Sequence, residues 1–285
     1  MMDAAHPMHG KVCLVTGATS GIGRVTAQAL AQQGATTIGI ARNHERGMST
    51  VQRIRQATGN PQVEMMLADL SAQADIRRLA HEVQHRYPRL DVLVNNAGAL
   101  FSRRAVSPDG IELTFALNHL AYFLLTHLLL DTLRASVPAR IVNVSSDAHR
   151  HAHIHFDDLQ GRRRYRGWGA YAQSKLANVL FTYELARRLD GTGLTANAVH
   201  PGFVATNFGR QNRGLAGLMF RALQVAAISP EQGAETIIYL ATSPEVEGVT
   251  GQYFVKRRAV RSSHASYDVH AAQRLWQAST ELVGL

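Results

Sequence analysis

Short apolar runs alternate with longer amphipathic ones over the first two-thirds of the chain. Residues 12–16, 35–41, 63–68, 90–94, 140–145 and 194–199 are apolar on both sides and rich in β-branched side chains. Between them, helical periodicity runs through residues 25–33, 44–57, 72–86, 110–135 and 169–189, the first run stopping at Gly34. Strands without a polar face are buried on both sides, which is the pattern of a parallel sheet under two layers of helix. Strand–helix alternation implies right-handed crossovers, so the fold class expected is α/β, a doubly wound parallel sheet of Rossmann type. No linker or tandem repeat appears, and the expectation is a single domain over residues 1–285. Two stretches, 147–168 and 207–229, break the rhythm after strand ends. Loops after strand C-termini border the ligand crevice of an open α/β sheet, so both are expected to shape a substrate pocket.

Composition narrows this only a little. The 285 residues are 46% hydrophobic, enough for one sizeable core. The longest apolar run, 120–133, is interrupted by His127 and Asp131 and reads as a buried helix. No run reaches the roughly 20 residues of a membrane span. The N-terminal residues show no basic-then-apolar leader, so a cytoplasmic location is expected. The single cysteine, Cys13, lies in the first strand and reads as buried and inert. The net charge of +9 would permit a nucleic-acid partner. The basic runs 162–164 and 256–258 are short, however, and read as solvated surface, so no nucleic acid is expected. Of 30 cationic residues only Lys11, Lys175 and Lys256 are lysine, so a lysine in a chemically demanding place carries information.

The first strand runs into glycines. The loop from Gly17 through Thr19, Ser20, Gly21 and Ile22 to Gly23 opens a helix, where glycines allow the backbone to approach a pyrophosphate and the helix N-terminus favours an anion. An acid at the end of the second strand would bind a ribose 2′-hydroxyl; Arg42 stands there instead, and its planar fork suits a 2′-phosphate. The expected cofactor is therefore NADP(H) rather than NAD(H). Tyr171 and Lys175 are four apart on a predicted helix and share a face. A nearby ammonium would lower the phenol pKa from about 10 towards a range useful for proton transfer.

Taken in order, Thr16-Gly-Ala-Thr-Ser-Gly-Ile-Gly23, Asn95-Asn-Ala-Gly98, Asn118, Ser145-Ser146, Tyr171-x-x-x-Lys175 and Pro201-Gly202 resemble the short-chain dehydrogenase/reductase family over nearly the whole chain. The segments from Arg140 to His149, Phe156 to Leu159 and Ala170 to Asn178, with Gly251-Gln-Tyr-Phe254 and Arg274-Leu-Trp276, resemble its retinol-dehydrogenase-like branch. The resemblance implies an NADP-dependent alcohol dehydrogenase or carbonyl reductase acting on a small-molecule carbonyl or alcohol. Tyr171 would be the general acid/base, Lys175 would lower its pKa and hold the nicotinamide ribose, and Ser146 (with Ser145 as runner-up) would bond the substrate oxygen. Asn118 would position a water in a proton relay through Lys175. Asn95, Asn96, Ala97 and Gly98 would support the sheet and border the adenosine, and Asp69 with Leu70 would contact the adenine. Pro201, Gly202, Val204 and Thr206 would cover the nicotinamide. A homodimer through the helices near 110–135 and 169–189 is possible on the same resemblance. An NADP(H)-binding regulator with little catalysis is the alternative.

Two further patterns stand out. His149, His151, His153 and His155 alternate beside Asp157 and Asp158 without converging metal-ligand spacing, so no metal is expected. Leu215, Leu218, Met219 and Ala222 have helical spacing and read as an apolar lid, with a membrane-surface helix as the other reading.

Overall fold

The computed structural model describes residues 6–203 and 228–285. Seven parallel strands and a short antiparallel eighth form one sheet in the order β3-β2-β1-β4-β5-β6-β7-β8. The strands are β1 (Val12–Thr16), β2 (Thr36–Ala41), β3 (Val63–Leu67), β4 (Val92–Asn95), β5 (Ala139–Val144), β6 (Leu194–His200), β7 (Tyr253–Val255) and β8 (Arg258–Ala259). Alternate residues of β1 enter opposite cores. Val12 and Leu14 pack on one side, Cys13 and Val15 on the other. That two-sided demand explains why the strand carries no polar position before Thr16 at its end. Cys13 is fully enclosed and its thiol pKa is pushed far up by burial, which leaves it unreactive.

Helices α1 (Gly21–Gln32) and α2 (His44–Thr58) cover one face of the sheet, together with α8 (Pro230–Thr242). The other face carries α3 (Gln73–Arg86), the α4–α6 region and α7 (Gly167–Arg188). The helix expected over 110–135 is broken into α4 (Leu113–Phe115), a π turn (Ala116–Leu120), α5 (Ala121–Leu128) and α6 (Leu130–Arg134). The wide turn holds Asn118, and π turns of this kind concentrate at functional sites. The whole stretch is long and apolar enough to cross a membrane, yet 72% of its apolar window is buried inside the protein. It is therefore accounted for as a core helix.

The C-terminal helix α9 (Val269–Val283) lies outside this layer and packs on α5 and α7. Trp276 sits against Phe123, His127 and Phe181 with ring centroids 4.9–5.8 Å apart, and Arg188 lies 4.1 Å over its ring. The His119 imidazole meets Ser279 at 2.9 Å. α9 thus covers part of the α5/α7 surface through which the family resemblance made a homodimer contact possible.

Candidate active site

The chain order reverses between β1 and β4, and the loops leaving β1, β4, β5 and β6 meet at that crevice. Thr16 ties two of them together. Its hydroxyl accepts the amides of Asn96 (2.8 Å) and Ala97 (2.9 Å), while Asn96 Nδ2 donates to Thr16 O (2.8 Å). Gly17 follows with φ +68°, and a Cβ on Gly23 would stand 2.4 Å from Gly17 O and 2.5 Å from Asn96 Nδ2. Only glycine lets the helix start this close under the turn. The α1 N-terminus carries no side-chain cap from Ser20 and no acid in its first turn. Its amides and dipole are thus directed at the crevice without an internal anion. Thr19 is half-buried and Ser20 exposed beside it, with Gly21 and Ile22 opening the helix.

Arg42 leaves the end of β2 and is exposed, while Asn43 caps α2 through the Arg46 amide (2.9 Å). The turn is held to β2 by Ala18 N donating to Ile40 O at 3.4 Å, so Arg42 lies two residues from the strand position that touches the glycine loop. Asp69 is less free than expected. Its Oδ1 accepts both the amide and the hydroxyl of Ser71 (3.0 and 2.7 Å), and the Leu70 side chain is in the core. A contact with a base would fall to the remaining carboxylate oxygen and the backbone there.

The β5 end separates the two candidate serines. The Ser145 hydroxyl is buried and donates to Lys175 O at 2.8 Å, a bond that secures α7 to the sheet. Ser146 is partly exposed, and its hydroxyl hydrogen-bonds the Tyr171 phenol. Ser146 Oγ also accepts the Ala148 amide at 3.3 Å, which leaves its proton for Tyr171. Lys175 is buried, 5.7 Å from the centroids of both the Tyr171 and Tyr122 rings, and donates to Val144 O at 3.0 Å. Gly98 forms the opposite wall: a Cβ there would lie 3.2 Å from Asn118 Oδ1 and 3.5 Å from Lys175 Nζ. Asn95, one turn of chain earlier, donates to Thr126 (3.0 Å) and Asn143 (2.9 Å) and braces the sheet from within.

Two expectations change here. The Asn118 amide uses both N–H groups and one lone pair of Oδ1 on protein partners, which leaves only the second lone pair for a water. Its Oδ1 accepts Ala99 N (2.8 Å), and its Nδ2 donates to Ala99 O (2.9 Å) and Ser174 Oγ (3.0 Å). As a side chain it fastens the β4 loop to α7. Nor is the Tyr171 phenol drawn down by Lys175. Burial pushes it up to about 12, moderated by the Ser146 hydroxyl, and burial pushes Lys175 down to about 7. Both groups have lost water and the ammonium faces the ring rather than the hydroxyl, so desolvation outweighs their attraction.

At the β6 end, Pro201 and Gly202 (φ +93°) lead to Phe203, whose carbonyl accepts Ile228 N at 2.8 Å. Val204, Thr206 and the proposed lid residues Leu215, Leu218, Met219 and Ala222 lie outside the described residues. Trp168, which the sequence did not single out, is 56% exposed with its ring 5.7 Å from that of Tyr171. The 147–168 insertion divides in function. Residues near 154–166 line a cleft of about 720 Å³ with Ala170 and Gln173. At about 100° per residue, Gln173 stands roughly 160° around the helix from both Tyr171 and Lys175, and Ala170 roughly 100° and 140° from them. That half of the insertion therefore faces away from the phenol. Among the described residues no three His, Cys, Asp or Glu side chains converge on a metal position. Of the four alternating histidines only His149 turns inward.

A dinucleotide-type crevice with a Ser–Tyr–Lys cluster at its floor defines a hydride-transfer fold and site. The short chain dehydrogenase family model matches residues 11–214, and the chain belongs to that family. Mouse retinol dehydrogenase 12 is 43% identical over 97% of this chain and 87% of its own length. Human retinol dehydrogenase 13 is 43% identical over 97% and 85%. A putative uncharacterized protein from Mycobacterium paratuberculosis superposes with a TM-score of 0.80 at 35% identity, covering 97% of this chain and 94% of the other. The Pseudomonas aeruginosa RhlG/NADP active-site complex superposes with a TM-score of 0.71 at 28% identity, covering 93% and 100%. The protein is thus an oxidoreductase of the nicotinamide-dependent, retinol-dehydrogenase-like kind.

Proposed function

We propose that this protein is an NADP(H)-dependent alcohol dehydrogenase or carbonyl reductase acting on a lipophilic substrate. The observation that carries the proposal is the hydroxyl of Ser146 bonded to the Tyr171 phenol, with Lys175 beneath and Gly98 opposite. The residues present suit the cofactor. The uncapped α1 N-terminus takes its pyrophosphate, exposed Arg42 its 2′-phosphate, and the bare Gly98 wall leaves room over Lys175. When bound, the nicotinamide supplies or accepts the hydride. Gly17, Thr19, Ser20, Gly21, Ile22 and Gly23 hold the phosphates, Asn96, Ala97 and Gly98 border the nucleoside, and Pro201 and Gly202 close the far side.

Ser146 and Tyr171 hold the substrate oxygen. Tyr171 gives the proton to the forming alkoxide in reduction, or takes it from the alcohol in oxidation, as a general acid/base. Lys175 is poised to hold or release a proton near neutral pH. Asn118 keeps Ala99 and Ser174 in register, so that the β4 loop and α7 present Gly98 and Tyr171 at a fixed spacing. Exposed Trp168 beside the phenol offers an apolar wall, which with the retinol dehydrogenase relatives favours a lipophilic substrate.

The test is turnover of retinal, decanal and a steroid ketone with NADPH and NADH, in wild type and Tyr171→Phe. Wild type should reduce one or more with a preference for NADPH, and the variant should lose turnover while still binding NADPH by fluorescence titration. Wild-type turnover in the variant removes the assignment.

A further inference from the structure

Ser146 ends in a carbonyl as well as a hydroxyl, and the carbonyl has an unusual partner. The turn Asp147–His151 starts at Ser146, and Ser146 O accepts the His149 backbone amide at 3.0 Å. His149 Nδ1 lies 2.7 Å from the same oxygen, and its Nε2 lies 3.0 Å from the backbone nitrogen of Ser263. The ring is fully buried, with its centroid 4.8 Å from that of Tyr253.

These two contacts fix the imidazole. A backbone N–H can only donate, so Nε2 accepts from Ser263 and carries no proton. A carbonyl can only accept, so Nδ1 carries the proton and donates to Ser146. Turning the ring over would put carbons at both contacts, so the assignment does not depend on the orientation chosen for the ring. One neutral tautomer satisfies both neighbours; the cation would leave the Ser263 amide facing an N–H. His149 and Ser263 are 114 residues apart, and the adjacent Arg150 makes a parallel link through its guanidinium to Arg261 O at 2.9 Å.

We infer that His149, as its Nδ1–H tautomer, is the positioning residue that holds Ser146 at the substrate oxygen by locking its carbonyl to the C-terminal segment at Ser263. This rests on the assignment of Ser146 given above. Burial disfavours the charged ring, in the direction the geometry requires. The charged and titratable groups facing it are Asp147 and Arg150 on its own turn, His200 at the end of β6 and Tyr253 on β7. Asp147 is itself held by Arg150 (3.0 Å), by the Tyr253 hydroxyl (3.2 Å) and by His200 (3.5 Å), and its charge favours a protonated His149 less than burial, Arg150 and His200 disfavour one. As pH falls below the ordinary histidine range, protonation of His149 therefore breaks the Ser263 link and loosens Ser146.

The test compares His149→Leu, His149→Asn, Ser146→Ala and the double variant His149→Leu/Ser146→Ala, using NADPH with the aldehyde turned over fastest in the panel above. His149→Leu should lower kcat about 10- to 100-fold, as expected for a displaced reacting group, with NADPH affinity changed less than about 2-fold. His149→Asn, whose amide can still donate to the Ser146 carbonyl, should recover at least about 5-fold of that loss. The double variant should be no slower than Ser146→Ala alone, because His149 acts through Ser146. In ¹⁵N-histidine NMR, the resonance lost in His149→Asn should show protonated Nδ1 and bare Nε2 at pH 8. Equal losses in the Leu and Asn variants, additive losses in the double variant, or a protonated Nε2 would each overturn the inference. Wild-type turnover in Ser146→Ala would instead overturn the reading of Ser146, and the role of His149 with it.

Discussion

The two halves of the crevice are built by different means. Around β1 and β2 the site is made of backbone: turns at Gly17 and Gly21, a helix start squeezed under Gly17 by Gly23, and one hydroxyl, Thr16, gathering the neighbouring loop. Around β5 and α7 it is made of side chains that brace one another. Ser146 leans on Tyr171 and His149, Asn118 joins Ala99 to Ser174, and Lys175 and Asn178 share the Val144 carbonyl. A backbone cradle tolerates no added atom but needs little support. A side-chain cluster tolerates small changes of shape, yet depends on partners far along the chain, such as Ser263 for His149 and Ser279 for His119. The first half suits a charged cofactor common to many reactions. The second sets where one substrate oxygen sits.

The largest effect should come from the side-chain half. Tyr171→Phe removes one hydroxyl from a ring that is otherwise packed, and should cost about 10³-fold in kcat, within the range of a lost general acid/base. Its NADPH titration should match wild type, since the cradle is untouched. Next, in the cradle half, Arg42→Ala should lower the NADPH-to-NADH ratio of kcat/KM about 100-fold, the scale of one charge-assisted fork to a phosphate. An unchanged ratio would place the discrimination elsewhere. Gly23→Ala should destabilise by about 2 kcal/mol, because the methyl meets backbone at Gly17 O rather than a movable side-chain end. Its melting temperature should fall, and NADPH binding should weaken with it. A fully stable Gly23→Ala protein that binds NADPH normally would mean the cradle is looser than its geometry.

The two halves also differ in how far the sequence revealed them. The strands of the sheet read clearly because each is apolar on both faces, and β1 to β6 lie within a residue or so of their expected ranges, except that β4 starts at Val92. The glycine loop read clearly because its chemistry is contiguous. The helix over 110–135 was legible as buried but not as broken, since a π turn leaves no periodicity of its own. Ser145 and Ser146 could not be told apart by spacing. What separates them is which way each points after β5, one to the Lys175 carbonyl and the other to the phenol. His149 was hidden among three exposed neighbours of the same type, and the partner that distinguishes it is 114 residues away. The inward turn of Trp276 and the covering of α5 and α7 by α9 likewise depend on contacts across the whole chain.

The smallest predicted effect has the most informative sign. Lys175 is held in the side-chain half with its pKa pushed from 10.5 down to about 7 by burial. Between these values the unfolded chain holds the proton and the folded protein releases it, so stability rises with pH across that window. The penalty for the buried ammonium is complete below about pH 7 and gone above about 10.5. Tyr171 acts oppositely and at higher pH: raised from 10 to about 12, it favours the fold below about 10 and loses that contribution as pH climbs through 12. Lys175→Met should therefore abolish turnover yet stabilise the cofactor-free protein by about 1–2 kcal/mol at pH 6.5, since it removes a buried charge and keeps the packing. The gain should shrink at pH 8.5 and vanish near pH 10, as read from thermal melts of both proteins at the three values. The buried histidines His149 and His200 are common to both proteins, so their loss of stability below the histidine range cancels in the difference. A variant less stable than wild type at every pH would show that the Lys175–Val144 hydrogen bond outweighs the desolvation, and that the side-chain half is braced by its charge rather than strained by it.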